Sequence, residues 1–431
     1  MAMRWFVRIF VVLFLIAAAW FANVHYGWLP RPTPEQRDAL ALLRAPQPPL
    51  GQRDGFAALW FIGRDVPFAD VDALMREELA AWRSSPAAER FSGPDKGPVA
   101  TRFPALNVPE IDSEFCRIRA EDCLNIVRRD PDHFRAALQP FERHRLRVLE
   151  LRRYDHVADP FPPVQLIPFP DMGELYGSAL THAALLAADG RRAEALAETC
   201  EYAAIWRRLR GNADTLLFDM LATAYASAAA RLAAQVVADS PEVEWSDECQ
   251  RAFAPLANEE IEVCAEMRYE FGFLDSAFRE PWEAGPWTRF ANSSHVLARS
   301  APRYAALCEA PAPENRRIES EVAVDCDNGE WILDPFGCSI LAQEISSLID
   351  YRDRVIDLDG QFATLRTAIW LRDESISPAS AFALRPAEVR TAEHQVEIDV
   401  EGGTLTMLPL AAGRDPWVIP FARPDQGPSR R

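Results

Sequence analysis

The sequence predicts a mainly α-helical protein: antiparallel helical hairpins in a bundle, one N-terminal transmembrane helix, and a small C-terminal β-hairpin. Three observations predict it. An unbroken run of fourteen apolar residues, 9–22, follows Arg4 and Arg8. Between 172 and 238, apolar residues recur at helical spacing and stop at glycines. Near the C-terminus the pattern changes to alternation around Gly402-Gly403, a hairpin signal.

The elements follow in chain order. Residues 1–8 form a basic n-region, and residues 9–29 are long enough to span a bilayer as a signal anchor. Trp20, Phe21, Tyr26 and Trp28 sit at the distal end, where amphipathic rings favour the headgroup level. The small residues Ala17-Ala18-Ala19 offer cleavage as a signal peptide instead. Both routes export the rest of the chain. The expected location is a bacterial inner membrane, single-pass, with a cytoplasmic N-terminus and a periplasmic body.

Residues 30–55 are proline-rich and expected to form a stalk. An N-terminal helical region, 56–160, holds a break at Asp65-Val66-Pro67, a long surface loop over 84–114, and a helix over 131–153 bent at Pro140. The proline-dense stretch 159–170 is the best candidate boundary before a main helical domain, 170–375. In that domain Leu175, Ala179, His182 and Leu186 line a first helix stopped by Gly190. Ala193, Leu196, Cys200 and Ala204 line a second, and Leu217, Met220, Leu221, Ala224, Ala228 and Leu232 a third. The stretch ALLAADGRRAEALAE (184–198) resembles the turn of a tetratricopeptide-type hairpin, but a 34-residue step does not repeat it, so only the packing idea carries over. One helix is expected over 247–271, and others near 293–307 and 340–373. In the tail, 376–431, a Gly-Gly turn pairs Val400 with Leu405 and Ile398 with Met407. A lone hairpin is marginal in water, so its apolar face should pack on the preceding helix.

Composition removes several function classes. Lys96 is the single lysine and sits in a Pro/Gly loop, so a phosphate-binding loop, a kinase lysine and Schiff-base chemistry are excluded. No G-x-G-x-x-G, H-E-x-x-H or G-x-S-x-G occurs. A net charge of −18 argues against nucleic acid and favours a basic partner. No nucleotide, cofactor or metal is expected.

Eight cysteines in an exported body point to disulfides. The local pairs are Cys116 with Cys123 and Cys326 with Cys338. On one straight helix the first pair would lie about 10 Å apart, so that bridge requires a bend. Cys200 is expected as a buried small hydrophobe. Among seven histidines, His182 is expected as a satisfied core group and His144 in solvent.

Two surfaces are candidates for interaction. Glu259, Glu262, Glu266 and Glu270 share one face of the expected 247–271 helix, with Arg207, Arg208 or Arg210 as possible counter-charges. In 271–290, Phe271, Phe273, Phe278, Trp282, Trp287 and Phe290 surround Arg279 and Arg289. They form either a groove for peptide or glycan or a core plug. The paired acids Asp325 and Asp327, beside Glu330, offer glycoside-hydrolase chemistry only if a cleft joins them. The expected function is therefore a non-catalytic envelope protein that engages another protein. The alternatives are an envelope hydrolase using dispersed Asp and Glu, and an antitoxin-like binder of a basic partner.

Overall fold

Alanine-rich helices carry the centre of the computed structural model. It describes all residues except 1, 27–29, 48–49, 87–89, 91–92, 94, 107–114, 117–121, 164–172, 280–290, 310–315, 318–325, 344–347, 374–376, 392 and 423–431. Helix α1 (Ala2–Tyr26) is long and apolar enough to cross a membrane; residues 5–19 are exposed, and Asn23 near its end is buried. Helix α2 (Pro34–Arg44) opens with a capping box between Thr33 and Gln36. The expected stalk is docked: Ala39 and Leu43 are buried and Arg44 reaches Asp275 at 3.0 Å.

Helices α3 (Phe56–Trp60) and α4 (Val71–Ser84) flank the expected break. The carbonyls freed there are taken by buried Arg147, which donates to Phe61 at 3.2 Å and also to Val66. Helices α5 (Cys123–Arg129), α6 (Pro131–Leu138) and α7 (Glu142–Glu150) follow, the last two separated by a 3-10 turn at Pro140. After that turn His144, Arg147 and Val148 face inward. His144 therefore corrects the solvent expectation: it is 1 % exposed beside Phe141, and burial pushes its pKa down to about 4. The 84–114 loop is likewise more than surface, since Val99 is buried and its amide binds the Glu78 carboxylate at 2.8 Å.

Helices α8 (Gly173–Ala188), α9 (Arg192–Arg210) and α10 (Leu216–Asp239) pack consecutively. Gly190 has φ +81°, and the amides of Gly190 and Arg191 return to the carbonyls of Ala187 and Leu186. That pairing is a Schellman closure, available at low cost to glycine alone. His182 is half-buried and satisfied by Glu198 at 2.9 Å, as expected. On α10, Ala222, Ala226, Ala229, Ala230 and Ala233 are fully buried, so neighbouring backbones approach closely. Phe161, from the proline-dense stretch, packs against Trp60 and Trp82 in the same continuous core.

The expected 247–271 helix is three pieces: α11 (Asp247–Ala252), α12 (Asn258–Ile261) and α13 (Cys264–Arg279). Pro255 cannot continue α11, and the backbone is extended at Ala257 and Glu262. Helix α13 runs through Gly272 to Arg279, so Phe273 and Phe278 continue the helix beyond its expected end at 271. Helices α14 (Ser293–Ala306), α15 (Asn328–Leu333), α16 (Pro335–Gln343), α17 (Ile349–Asp373) and α18 (Pro378–Leu384) complete the helical part. Helix α15 touches α1 and exposes Trp331 and Ile332.

All eight cysteines pair. Cys116–Cys123 and Cys326–Cys338 form as expected, the first with Cys116 outside the helix that Cys123 opens. Cys200 is buried on its helix face, but it is bonded to Cys249 of α11 rather than acting as a plain hydrophobe. Cys264–Cys308 ties α13 to the end of α14. Both are long-range contacts that local spacing does not encode.

The tail forms a three-stranded antiparallel sheet, β1 (Val396–Asp399), β2 (Thr404–Met407) and β3 (Trp417–Pro420). The register is Val396 with Met407 and Ile398 with Leu405, two residues away from the expected pairing. The Asp399 carboxylate accepts the Gly402 amide at 2.9 Å and Gly403 takes φ +65°, so the turn consumes four residues and leaves Val400 exposed. Strand β3 was not anticipated. Leu405, Met407, Ile419 and Trp417 bury their side chains against α17 and α10.

His394 fastens this sheet to α17. Its Nε2 meets Asp357 Oδ1 at 2.8 Å, and Asp357 also accepts the amides of Leu410 and Ala411. Gly360 leaves the room: a Cβ there would lie 2.6 Å from His394 Nδ1 and 2.7 Å from Met407 Sδ. Gly360→Ala should therefore destabilise by about 1–2 kcal/mol, because overpacking exceeds the ~1 kcal/mol gained in helix propensity. An unchanged urea midpoint would show that this contact does not constrain the fold.

Candidate functional site

The sequence-flagged glutamates converge, but through a turn rather than one helix face. Glu259 lies on α12, Glu262 caps its end, and Glu266 lies on the first turns of α13. All three line a hollow of about 230 Å³, together with Leu50, Ala213 and Arg268. Glu259 and Glu262 are exposed, Glu266 is 4 % exposed, and Glu270 is half-buried further along α13. A second hollow of about 430 Å³ adjoins it and shares Gly211 and Glu259.

The expected arginine partners go elsewhere. Arg207 holds Glu260 with two hydrogen bonds of 2.7 Å and donates to the carbonyls of Ala254 and Pro255. It thereby satisfies the backbone where Pro255 ends the helical run. Arg208 donates to the Arg152 carbonyl. Arg210, at the C-terminal end of α9, pairs with Asp219 in the first turn of α10 at 3.1 Å, where each charge suits its helix dipole. Arg279 ends α13. Trp282, Trp287, Arg289 and Phe290 lie outside the described residues, as does Asp325, while Asp327 serves as the N-cap of α15.

Behind the hollow runs a buried carboxylate network that linear reading missed. Burial raises the pKa of Glu266, with Asp219 and Asp214 adding repulsion and Arg210 opposing it. Burial pushes Asp219 up to about 6 despite Arg210, and among the described residues its Oδ2 accepts no hydrogen bond. Asp214 is pushed up to about 7 by burial, opposed by the Asp159 amide, which both its oxygens accept at 2.9 and 3.0 Å. Asp159 is raised to about 6 by burial, and takes the Phe161 amide and the Tyr269 hydroxyl at 2.8 and 2.7 Å. Asp54, also raised by burial, accepts the amides of Phe56 and Ala158. The visible signal was slight: Asp159 precedes a proline and Asp214 precedes the Thr215 N-cap, which looks like ordinary loop chemistry.

Comparison with known protein families, with curated proteins and with solved structures finds no match. The site must be read from its own chemistry.

The inner aspartates hold backbone. Asp159, Asp214 and Asp54 point oxygens at backbone amides, so they latch the 157–161 loop to α10 and to the start of α3. The glutamate-lined hollow is below the ~300–1,000 Å³ typical of small-molecule sites and suits one side chain. A larger hollow of about 800 Å³ is lined by Asp54 and Asp72 with Arg53, Arg76, Arg153 and Tyr154.

Proposed function

We propose that this chain is an exported, membrane-tethered, non-catalytic binding factor. Its Glu259–Glu262–Glu266 hollow receives a basic side chain of a protein partner. The observation that carries the reading is the convergence of exposed Glu259 and Glu262, with buried Glu266 behind them and one arginine, Arg268, among the lining, on a hollow of about 230 Å³ that can take the end of one long side chain. The net charge of −18 steers the same kind of partner over longer range. In this reading α1 is the single inner-membrane anchor, with Arg4 and Arg8 keeping its start in the cytoplasm. Trp331 and Ile332 of α15, beside α1, then lie at the lipid surface.

A photo-cross-linker at Glu262 of the full-length protein, in cells of its source, should capture one partner through an Arg or Lys residue. Reversing both exposed charges (Glu259→Arg with Glu262→Arg) should lower capture about tenfold, since exposed charges contribute up to ~1 kcal/mol each. Undiminished capture by the double variant would refute the assignment.

The second reading, an envelope hydrolase, rests on the 800 Å³ hollow, where Asp54 with a raised pKa faces Asp72. Two carboxylates in unlike environments can divide acid and base roles. Turnover of peptide or glycan by the purified protein, abolished in Asp72→Asn, would favour it over the binding role.

A further inference from the structure

We propose that His295, Cys326 and Cys338 form a latent zinc site, locked by the Cys326–Cys338 disulfide and released when a dithiol reduces it. This inference stands apart from the partner-binding reading. A ring nitrogen of His295 and the two sulfur atoms lie within 4.8 Å of one another. Cys338 is 1 % exposed and His295 3 %, so the group is largely shielded from water.

The histidine is already set for a metal. Its Nδ1 lies 2.8 Å from Asp334 Oδ2. Asp334 is fully buried, and its Oδ1 accepts the amides of Asn292 at 3.1 Å and Gly337 at 3.0 Å. A carboxylate so placed acts as acceptor, so Nδ1 carries the proton and Nε2 keeps its lone pair. Nε2 is buried and makes no hydrogen bond among the described residues, with Glu330 Oε1 at 3.5 Å as its nearby charge. A carboxylate behind a histidine that ligates through its other nitrogen is the usual support for a bound metal. Glu330, whose other oxygen pairs with Arg299 at 3.1 Å, flanks the histidine but stands outside the three-residue group, so water would take the fourth position.

Geometry and softness select the ion. Tetrahedral zinc, with Zn–S near 2.3 Å and Zn–N near 2.0 Å, holds its ligand atoms about 3.5–3.8 Å apart. The nitrogen and sulfurs meet that spacing with side-chain rotation once the S–S bond is broken. Two thiolates with an imidazole prefer zinc to the hard cations bound by carboxylates. In the reaction the dithiol gives up two electrons and two protons, becoming a disulfide. Cys326 and Cys338 become thiols, and zinc capture then releases both thiol protons.

The test uses full-length protein in detergent, reduced with dithiothreitol, desalted without oxygen and titrated with Co²⁺ and then Zn²⁺. One equivalent of Co²⁺ should produce thiolate-to-metal absorption, absent in the oxidised protein. Zn²⁺ should slow alkylation of Cys326 and Cys338 at least tenfold, read peptide by peptide, and leave the other six cysteines unaffected. Cys338→Ser should abolish the absorption and His295→Asn should weaken binding at least tenfold. Should His295→Asn fail to fold, Cys326→Ser replaces it and should likewise abolish the absorption. Absence of cobalt–thiolate absorption in the reduced wild type, equal protection of all cysteines, or an unaltered Cys338→Ser would overturn the proposal.

Discussion

Replacing Arg210 with alanine should destabilise the protein by about 3–5 kcal/mol, because it strands buried carboxylates without their cation. Arg210 and Asp219 are each 1 % exposed at the side chain, and Glu266 feels both. The arginine also donates to the Glu260 carbonyl, which loses its partner at the same time. The loss should be smaller at pH 5 than at pH 8. Asp219 titrates at about 6 and can accept a proton in place of the missing guanidinium. Removing both charges with Arg210→Met and Asp219→Leu should recover much of the stability, since an apolar pair of similar volume is often no worse than a buried ion pair. Urea unfolding at the two pH values measures this. A cost below about 1 kcal/mol for Arg210→Ala at pH 8 would mean that the network is not held by this pair.

The protein should also lose stability as pH rises from about 4 to 7. Asp214, Asp159 and Asp219 have folded pKa values raised to about 7, 6 and 6, against an ordinary 3.8. Through that window the folded chain retains protons that the unfolded chain has already released, so unfolding becomes easier as pH climbs. Below about 4 the sign reverses, because Asp155 and Glu142, held low by His156 and Arg145, must then be protonated. Stability should therefore peak in mildly acidic solution. Asp214→Asn keeps an oxygen for the Asp159 amide but removes the titration. It should flatten the decline between pH 5 and 7 by on the order of 2 kcal/mol, at ~1.4 kcal/mol per pKa unit. The same slope in wild type and variant would show that Asp214 stays ionised in the fold.

Much of the fold was legible because its signals are local. The α8–α9 hairpin follows from apolar spacing and from Gly190, whose φ of +81° closes the turn. The Cys326–Cys338 loop and the hairpin's alternating face follow in the same way. What escaped depends on contacts between distant segments. Nothing near Cys200 announces Cys249, which lies 49 residues away. His144 looked solvated among arginines, and only the 3-10 turn before α7 rotates it inward. Helical spacing carries the acidic run across Pro255, but proline's missing amide ends the helix there. The glutamates themselves are visible in the sequence, but the turn after Ile261, rather than helical periodicity, gathers Glu259, Glu262 and Glu266. The inner acids looked like loop residues, and their raised pKa values arise only when packing removes water.

The rim of that hollow is pinned at both ends by covalent bonds: Cys249 is fixed to α9 and Cys264 to α14. The fourteen intervening residues, 250–263, therefore keep little freedom to surrender when something docks against them. Oxidation sets the shape of this edge before any encounter with the partner we propose. A chain kept in a thiol-rich environment would carry the same glutamates on a slack segment, and its affinity would fall without the change of a single contact residue.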